Sequence, residues 1–292
     1  NPQHGVKHAN SVSGQEFVLA RDLSPVEGPI TYRELPGETP SINGTRPANY
    51  SETSAPPLHV QTFARTYTDY RPEPAVAEDL ERSISLEEQN ELHSKQTLLS
   101  HEAPLTFDAD NTPLNPIGRT GLMGKGNLYY WGPNQAADNI LLAPGDNGSM
   151  DVLLIKRQDG TWALPGGFLD KGEDARHAAF RELGEEAIKN ITVLKEAYDK
   201  QAVCVFAGYT ADPRNTDNAW IETSAHLLSI TKEMRDSLEL GARDDAQDVA
   251  WFPLDSDTAR NLYADHSRYL ALIQKSLEAT DSPRGDTGHD IQ

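Results

Sequence analysis

One stretch constrains this chain more than any other: residues 166–186, GGFLDKGEDARHAAFRELGEE. A Gly-Gly entry leads into a helix-forming segment whose glutamates are spaced to converge. On a helix, Glu182, Glu185 and Glu186 stand at i, i+3 and i+4 and share one face. Like charges so placed repel, at about 0.2–0.5 kcal/mol per pair. Such a patch is kept most readily when a cation sits on it, and hard oxygen-ligated ions, Mg²⁺ above all, fit. Phe180, Leu183 and Ala187 make an apolar stripe on another face, so the helix packs on a sheet with one side and faces a cleft with the other. Arg181 can pair with Glu185 at i+4, or with Glu173 across the preceding loop. The small side chains of Ala175, Ala178 and Ala179 leave room for a ligand. Gly166 and Gly167 let backbone approach a phosphate or a metal where a side chain would block it.

The whole chain sets the limits around that segment. Its 292 residues suffice for one large or two modest domains. A net charge of −19 speaks against a nucleic-acid partner, because phosphate backbones seek basic patches. A small nucleotide stays open, since a few local cations and a metal can dominate a site. The single cysteine, Cys204, sits in the apolar run AVCVFAGY and reads as a core residue in a reducing compartment. No apolar run reaches the roughly 18 residues of a bilayer span, so this segment does not insert directly into a membrane. The start, NPQHGVKHANSVSGQEF, is polar, without initiator methionine or basic presequence, and reads as a chain processed or excised from something longer.

Composition divides the chain. Residues 1–57, rich in Pro, Ser, Gly, Asn and Thr, read as a linker-like, poorly ordered segment. Residues 58–117 read as a small α+β cap too poor in core to stand alone, with Val60, Phe63, Tyr67 and Tyr70 as anchors and a helix over 79–99. Residues 118–280 carry the main domain, and 281–292 a tail. Within the main domain, DVLLIKR (151–157) reads as a buried strand. TWALPGG (161–167) is a short strand ending in a turn. AVCVFAGYT, AWIETSAHLLSI and DVAWFPL are further strands, and HSRYLALIQKSLEA (266–279) is a closing helix. Mixed strands with helices around them make an α/β sandwich. The glycine-rich GRTGLMGKG reads as an anion-binding nest, placing Arg119 and Lys125 near phosphate.

The positions of Gly167, Glu173, Arg181-Glu182, Leu183 and Glu185-Glu186 resemble the Nudix box, G-x5-E-x7-R-E-U-x-E-E-x-G-U, whose last two positions are Ile188 and Lys189 here. That family implies an α/β/α sandwich with a mixed sheet, and Mg²⁺ or Mn²⁺ held by Glu182, Glu185 and Glu186. The exchange at Ile188 and Lys189 implies a changed helix exit. NPIGRTGLMGKG, WGPNQAAD, ADPRNTDNAWIET and LYADHS are similar to the ADP-ribose pyrophosphatase subfamily. That subfamily includes freestanding, largely mitochondrial enzymes and the cytosolic domain of ADP-ribose-gated, melastatin-type TRP channels.

The resemblance implies hydrolysis of ADP-ribose to AMP and ribose 5-phosphate, with Arg181 and Glu173 holding the glutamates. It adds Asp212, Arg214, Asn215, Tyr263 and Asp265 as substrate-binding residues. The general base is Glu186, Asp244 or Asp245. The missing methionine and the linker-like start favour the cytoplasmic domain of a tetrameric channel. A freestanding enzyme, mitochondrial in that case, a non-hydrolysing ADP-ribose sensor, and a Nudix enzyme for another nucleoside diphosphate are the alternatives.

Overall fold

The computed structural model describes residues 29–38, 40–51, 56, 61–64, 68–75, 87, 100–102 and 104–281. The helix expected over 79–99 lies, apart from Glu87, outside the described residues, as do Val60, Tyr67 and 282–292.

Seven strands form one mixed sheet: β1 (Gly132–Pro144), β2 (Met150–Lys156), β3 (Trp162–Ala163), β4 (Gly166–Phe168), β5 (Val203–Thr210), β6 (Ala219–Ser229) and β7 (Asp248–Pro253). Their spatial order is β7-β2-β1-β6-β5, with β3 pairing β2 and β4 pairing β1. β1 and β6 run parallel, from Ala219 opposite Gly132 to Ser229 opposite Leu142, and the other pairs are antiparallel. β1 is long enough to serve two partners. Its first half pairs with β4, and its second half with β2.

The period of two along these strands builds two apolar layers. Ile140, Leu142, Val152 and Leu154 enter one; Leu141, Ala143, Leu153 and Ile155 enter the other. The first layer is closed by helix α5 (His266–Asp281), through Tyr269, Leu270 and Ile273, and by the short α4 (Asp257–Arg260), through Ala259. The second is closed by α1 (Ala175–Glu186) through Leu183, by α2 (Lys195–Gln201) through Tyr198, and by α3 (Lys232–Asp236) through Met234. This is the expected α/β/α sandwich.

Three expectations differ. Residues 29–51 are not linker-like: Tyr32 and Leu35 belong to the first core layer, and Ile30 bridges to Phe206 beside β5. Their polar composition concealed a few long-range anchors. Ala178 and Ala179 do not make room for a ligand, because both are fully buried against Ala137 and let α1 lie close to β1. Gly166 and Gly167 form strand β4 rather than a turn. At the exit of α1, buried Ile188 bridges to Leu240, and the Lys189 N–H donates to the Glu239 carbonyl at 2.8 Å. The two residues that depart from the box thus dock the end of the box helix onto the segment after α3.

Leu183 is fully buried between α1 and the sheet. Leu183→Ala removes that contact and leaves a cavity, an expected cost of about 2–5 kcal/mol. Urea unfolding followed by circular dichroism measures it.

Candidate active site

The site begins with α1. Asp174 caps the helix by accepting the His177 N–H at 3.0 Å, which fixes the register of the glutamates two to three turns on. Arg181 then gathers the acidic residues. Its Nε and Nη2 donate to the two oxygens of Glu173 at 3.0 and 2.9 Å. Its Nη1 donates to Glu182 and to Glu185, both at 2.8 Å, and Nη2 also reaches the Phe168 carbonyl at 3.2 Å. The guanidinium holds the Glu173 carboxyl below its usual range.

β4 brings backbone against these carboxylates. The Gly166 N–H donates to Glu186 Oε2 at 2.9 Å. A Cβ on Gly167 would collide with Glu182 Oε1, and one on Gly166 with Asp138 Oδ1. The two glycines therefore make space for the protein's own carboxylates. Glu186 is 6% exposed, and burial pushes its carboxyl up to about 8, against the Gly166 hydrogen bond. Burial also raises Glu182, opposed by Arg181. Glu185 is more than two-fifths exposed, at 45%, on the solvent side of the clamp.

Glu182, Glu186, Arg181 and the β4 backbone line a cleft of about 1070 Å³; Glu173 and Glu185 stand outside its wall. Of the expected residues, the cleft wall contains Gly166, Gly167, Arg181, Glu182, Glu186, Asp212, Arg214, Asp245 and Tyr263. Asp212 and Arg214 form a bidentate pair, with both bonds at 2.8 Å. Burial raises the Asp212 carboxyl, but Arg214 outweighs it and holds it below the usual range.

The remaining expected residues lie off the cleft wall. Asn215 is fully buried; its side chain accepts the Ile221 N–H and donates to the Thr210 carbonyl. Asp265 accepts the Ala211 N–H at 2.5 Å and pairs with Arg268 at 3.1 Å. Both order the loop that carries Asp212 and Arg214. Asp244 is exposed in a turn at φ 48, while its neighbour Asp245 reaches the cleft.

The 118–126 loop is not an anion nest. The N–H groups of Thr120, Gly121 and Gly124 donate to Asp217, Tyr70 and Asn218 inside the protein. Arg119 lies 4.8 Å from the Phe63 ring centre and 5.3 Å from that of Tyr70, and it donates to the Thr62 carbonyl. Lys125 is half-buried outside the cleft wall. Arg119, Gly121 and Gly126 of this loop contact the preceding region, through Thr62, Tyr70 and Tyr50.

Sequence reasoning missed three groups. Asp138 is buried in the cleft wall, accepts the Thr223 hydroxyl at 2.7 Å, and lies 3.6 Å from His266 Nε2. The Leu164 N–H donates to His266 Nδ1 at 2.9 Å, so the neutral ring carries its proton on Nε2, toward Asp138. Burial lowers the histidine and raises the aspartate. The third is Arg157, whose guanidinium sits 3.9 Å from the centre of the Tyr263 ring and supplies positive charge opposite the glutamates. The only hint of it was a basic residue closing a buried strand.

The residues fit a divalent cation. Glu186 is a buried carboxyl that accepts the Gly166 N–H, and Glu182 opens beside it on the same cleft. Among the described residues no three His, Cys, Asp or Glu side chains close into a complete metal cage. No described helix is long and apolar enough to cross a membrane.

Residues 133–273 match the family model of the NUDIX domain, and residues 57–132 that of the NUDT9-like N-terminal domain. The chain is 40% identical over 192 residues to putative nudix hydrolase 6 of Caenorhabditis elegans, covering 64% of this chain and 73% of that one. It is 38% identical over 193 residues to the mitochondrial ADP-ribose pyrophosphatase of Rattus norvegicus, covering 57% of this chain and 55% of that one. It is 34% identical over 192 residues to a transient receptor potential cation channel subfamily M member-like 2 of Nematostella vectensis, covering 58% of this chain and 12% of the channel. The match thus spans about half of the rat enzyme's length and a small part of the channel's.

Two titrations check the site. In metal-free protein the Glu186 carboxyl is expected to lose its proton near pH 8, well above an ordinary glutamate. Arg181→Met should raise the Glu173 midpoint, because the charged form loses its partner. Carbon-detected NMR of the glutamate carboxyls, assigned by Glu→Gln variants, reads both.

Proposed function

The chain belongs to the Nudix hydrolase family and is a pyrophosphohydrolase by class, and from that premise we propose that it cleaves ADP-ribose to AMP and ribose 5-phosphate. The carrying observation is that both signs of charge line one cleft, Glu182 and Glu186 together with Arg157 and Arg214. A diphosphate fits between them, its negative oxygens facing the arginines and, through a cation, the glutamates. That a similar protein is named for ADP-ribose supports this substrate over other nucleoside diphosphates.

When bound, Mg²⁺ or Mn²⁺ neutralises diphosphate charge and lowers the pKa of water. The chain's own residues do the rest. Glu182 and Glu186 hold the cation, and Arg181 with Glu173 fixes Glu182 in place. Arg157 and Arg214 offer forked donors to the phosphate oxygens. Water attacks one phosphorus, the bond to the bridging oxygen breaks, and a carboxylate takes the water's proton. Glu186 and Asp245 are the candidate bases that line the cleft; Asp244, which does not, is the weaker one.

An ADP-ribose sensor within a cation channel is the second reading, favoured by the similarity to channel proteins. Hydrolysis is preferred because Arg181, Glu182 and Glu186 stand intact and connected. The coding sequence upstream of Asn1 separates a channel domain from a freestanding enzyme.

Incubation with ADP-ribose and Mg²⁺, followed by nucleotide chromatography, should yield AMP and ribose 5-phosphate in equal amounts. Glu186→Gln and Glu182→Gln should each slow turnover by about 10²-fold or more. No AMP across a range of metals and pH would refute the proposal.

A further inference from the structure

Residues 41–50 read as linker, yet Pro47 and Ala48 line the cleft. This strap is fastened on both sides. Arg46 Nη1 donates to the carbonyls of Pro213, at 3.0 Å, and Asn215; its Nη2 donates to that of Thr120 at 2.6 Å. The Tyr50 hydroxyl donates to the Arg214 carbonyl at 3.0 Å and accepts the Asn127 N–H at 2.7 Å. Asn43 Nδ2 donates to the Ala264 carbonyl at 2.8 Å. Three consecutive carbonyls, those of residues 213 to 215, are thus held by two strap side chains.

The socket is built for the strap. Gly126 has φ 56, and a Cβ there would collide with the Tyr50 hydroxyl. The glycine-rich loop is therefore shaped around Tyr50. A planar guanidinium holds its donors in one fixed fork and so orders several backbone acceptors in a set geometry, whereas the three donors of an ammonium rotate on a flexible stem. The backbone so ordered carries Arg214, whose guanidinium pairs with Asp212 and lies 5.3 Å from the Phe168 ring centre. Phe168 in turn gives its carbonyl to Arg181. The strap touches the loop of the cationic wall directly and reaches the glutamate clamp through one more residue.

We propose that residues 41–50 form a substrate-facing wall of the cleft, and that Arg46 and Tyr50 are positioning residues that aim Arg214 at the diphosphate of a nucleoside diphosphate sugar. This rests on the reading of the cleft as an ADP-ribose site. Among the described residues no strap side chain hydrogen-bonds Glu182 or Glu186, so loss of the strap contacts weakens substrate binding and spares the chemical step.

The test is steady-state ADP-ribose hydrolysis with Mg²⁺ by the wild type, Arg46→Met, Arg46→Lys and Tyr50→Phe. Turnover by the wild type tests the underlying reading by itself. If the wild type binds ADP-ribose without cutting it, equilibrium dissociation constants replace KM in the same comparison. Arg46→Met should raise KM about tenfold, the scale of losing one set of charge-assisted hydrogen bonds. Arg46→Lys and Tyr50→Phe should raise it about threefold, with kcat within about twofold and both variants still folded, though less stable for the buried hydrogen bonds they lose. Unchanged KM in folded variants, or a fall in kcat at constant KM, would overturn the proposal. Should Arg46→Met fail to fold, Arg46→Lys and Tyr50→Phe decide on the same criterion.

Discussion

The Arg181 guanidinium is the interaction on which the site depends. It holds the carboxylates of Glu173, Glu182 and Glu185 and the Phe168 carbonyl together. Without that charge the acidic face of α1 would repel itself and its side chains would spread into solvent. With it, Glu182 is fixed toward the cleft while Glu185 stays at the rim. Glu186 needs no such partner, because burial under β4 and one backbone hydrogen bond place it. The clamp works only because α1 lies close to the sheet, which Ala178 and Ala179 allow by packing on Ala137.

Local signals carried much of this into the sequence. DVLLIK reads as a buried strand from its apolar run, and its side chains alternate between the two layers, whereas β1, which carries NILLA at the centre of the sheet, is not singled out by its residue pattern. The i, i+3, i+4 spacing of the glutamates announces the acidic face, because helical geometry converts sequence distance directly into space. Long-range placement was not legible. Asp138 and His266 are far apart in the chain and meet only through the fold. Arg157 reads as the polar end of a strand until Tyr263 arrives beneath it. The strap at 41–50 has the composition of a linker, and two side chains, Arg46 and Tyr50, undo that impression. The glycine-rich 118–126 loop misled for the complementary reason. Its exposed-looking amides are taken by Asp217, Tyr70 and Asn218, which no local pattern reveals.

The charge distribution reconciles an acidic chain with an anionic substrate. The net charge of −19 belongs to the whole surface, whereas binding depends on the cleft. There Asp212 partly spends Arg214, and Arg157 faces Glu186, Asp138 and His266. The carboxyl groups of the cleft wall outnumber its arginines, a balance that would suit a cation held together with a diphosphate.

Titration calorimetry of Mn²⁺ into the metal-free protein, with a non-hydrolysable ADP-ribose analogue present, tests the central claim most directly. The wild type should take up the divalent ion, and the Glu182→Gln, Glu186→Gln double variant should not, while its fold persists. Uptake of equal affinity in the double variant, or none in the wild type, would contradict it.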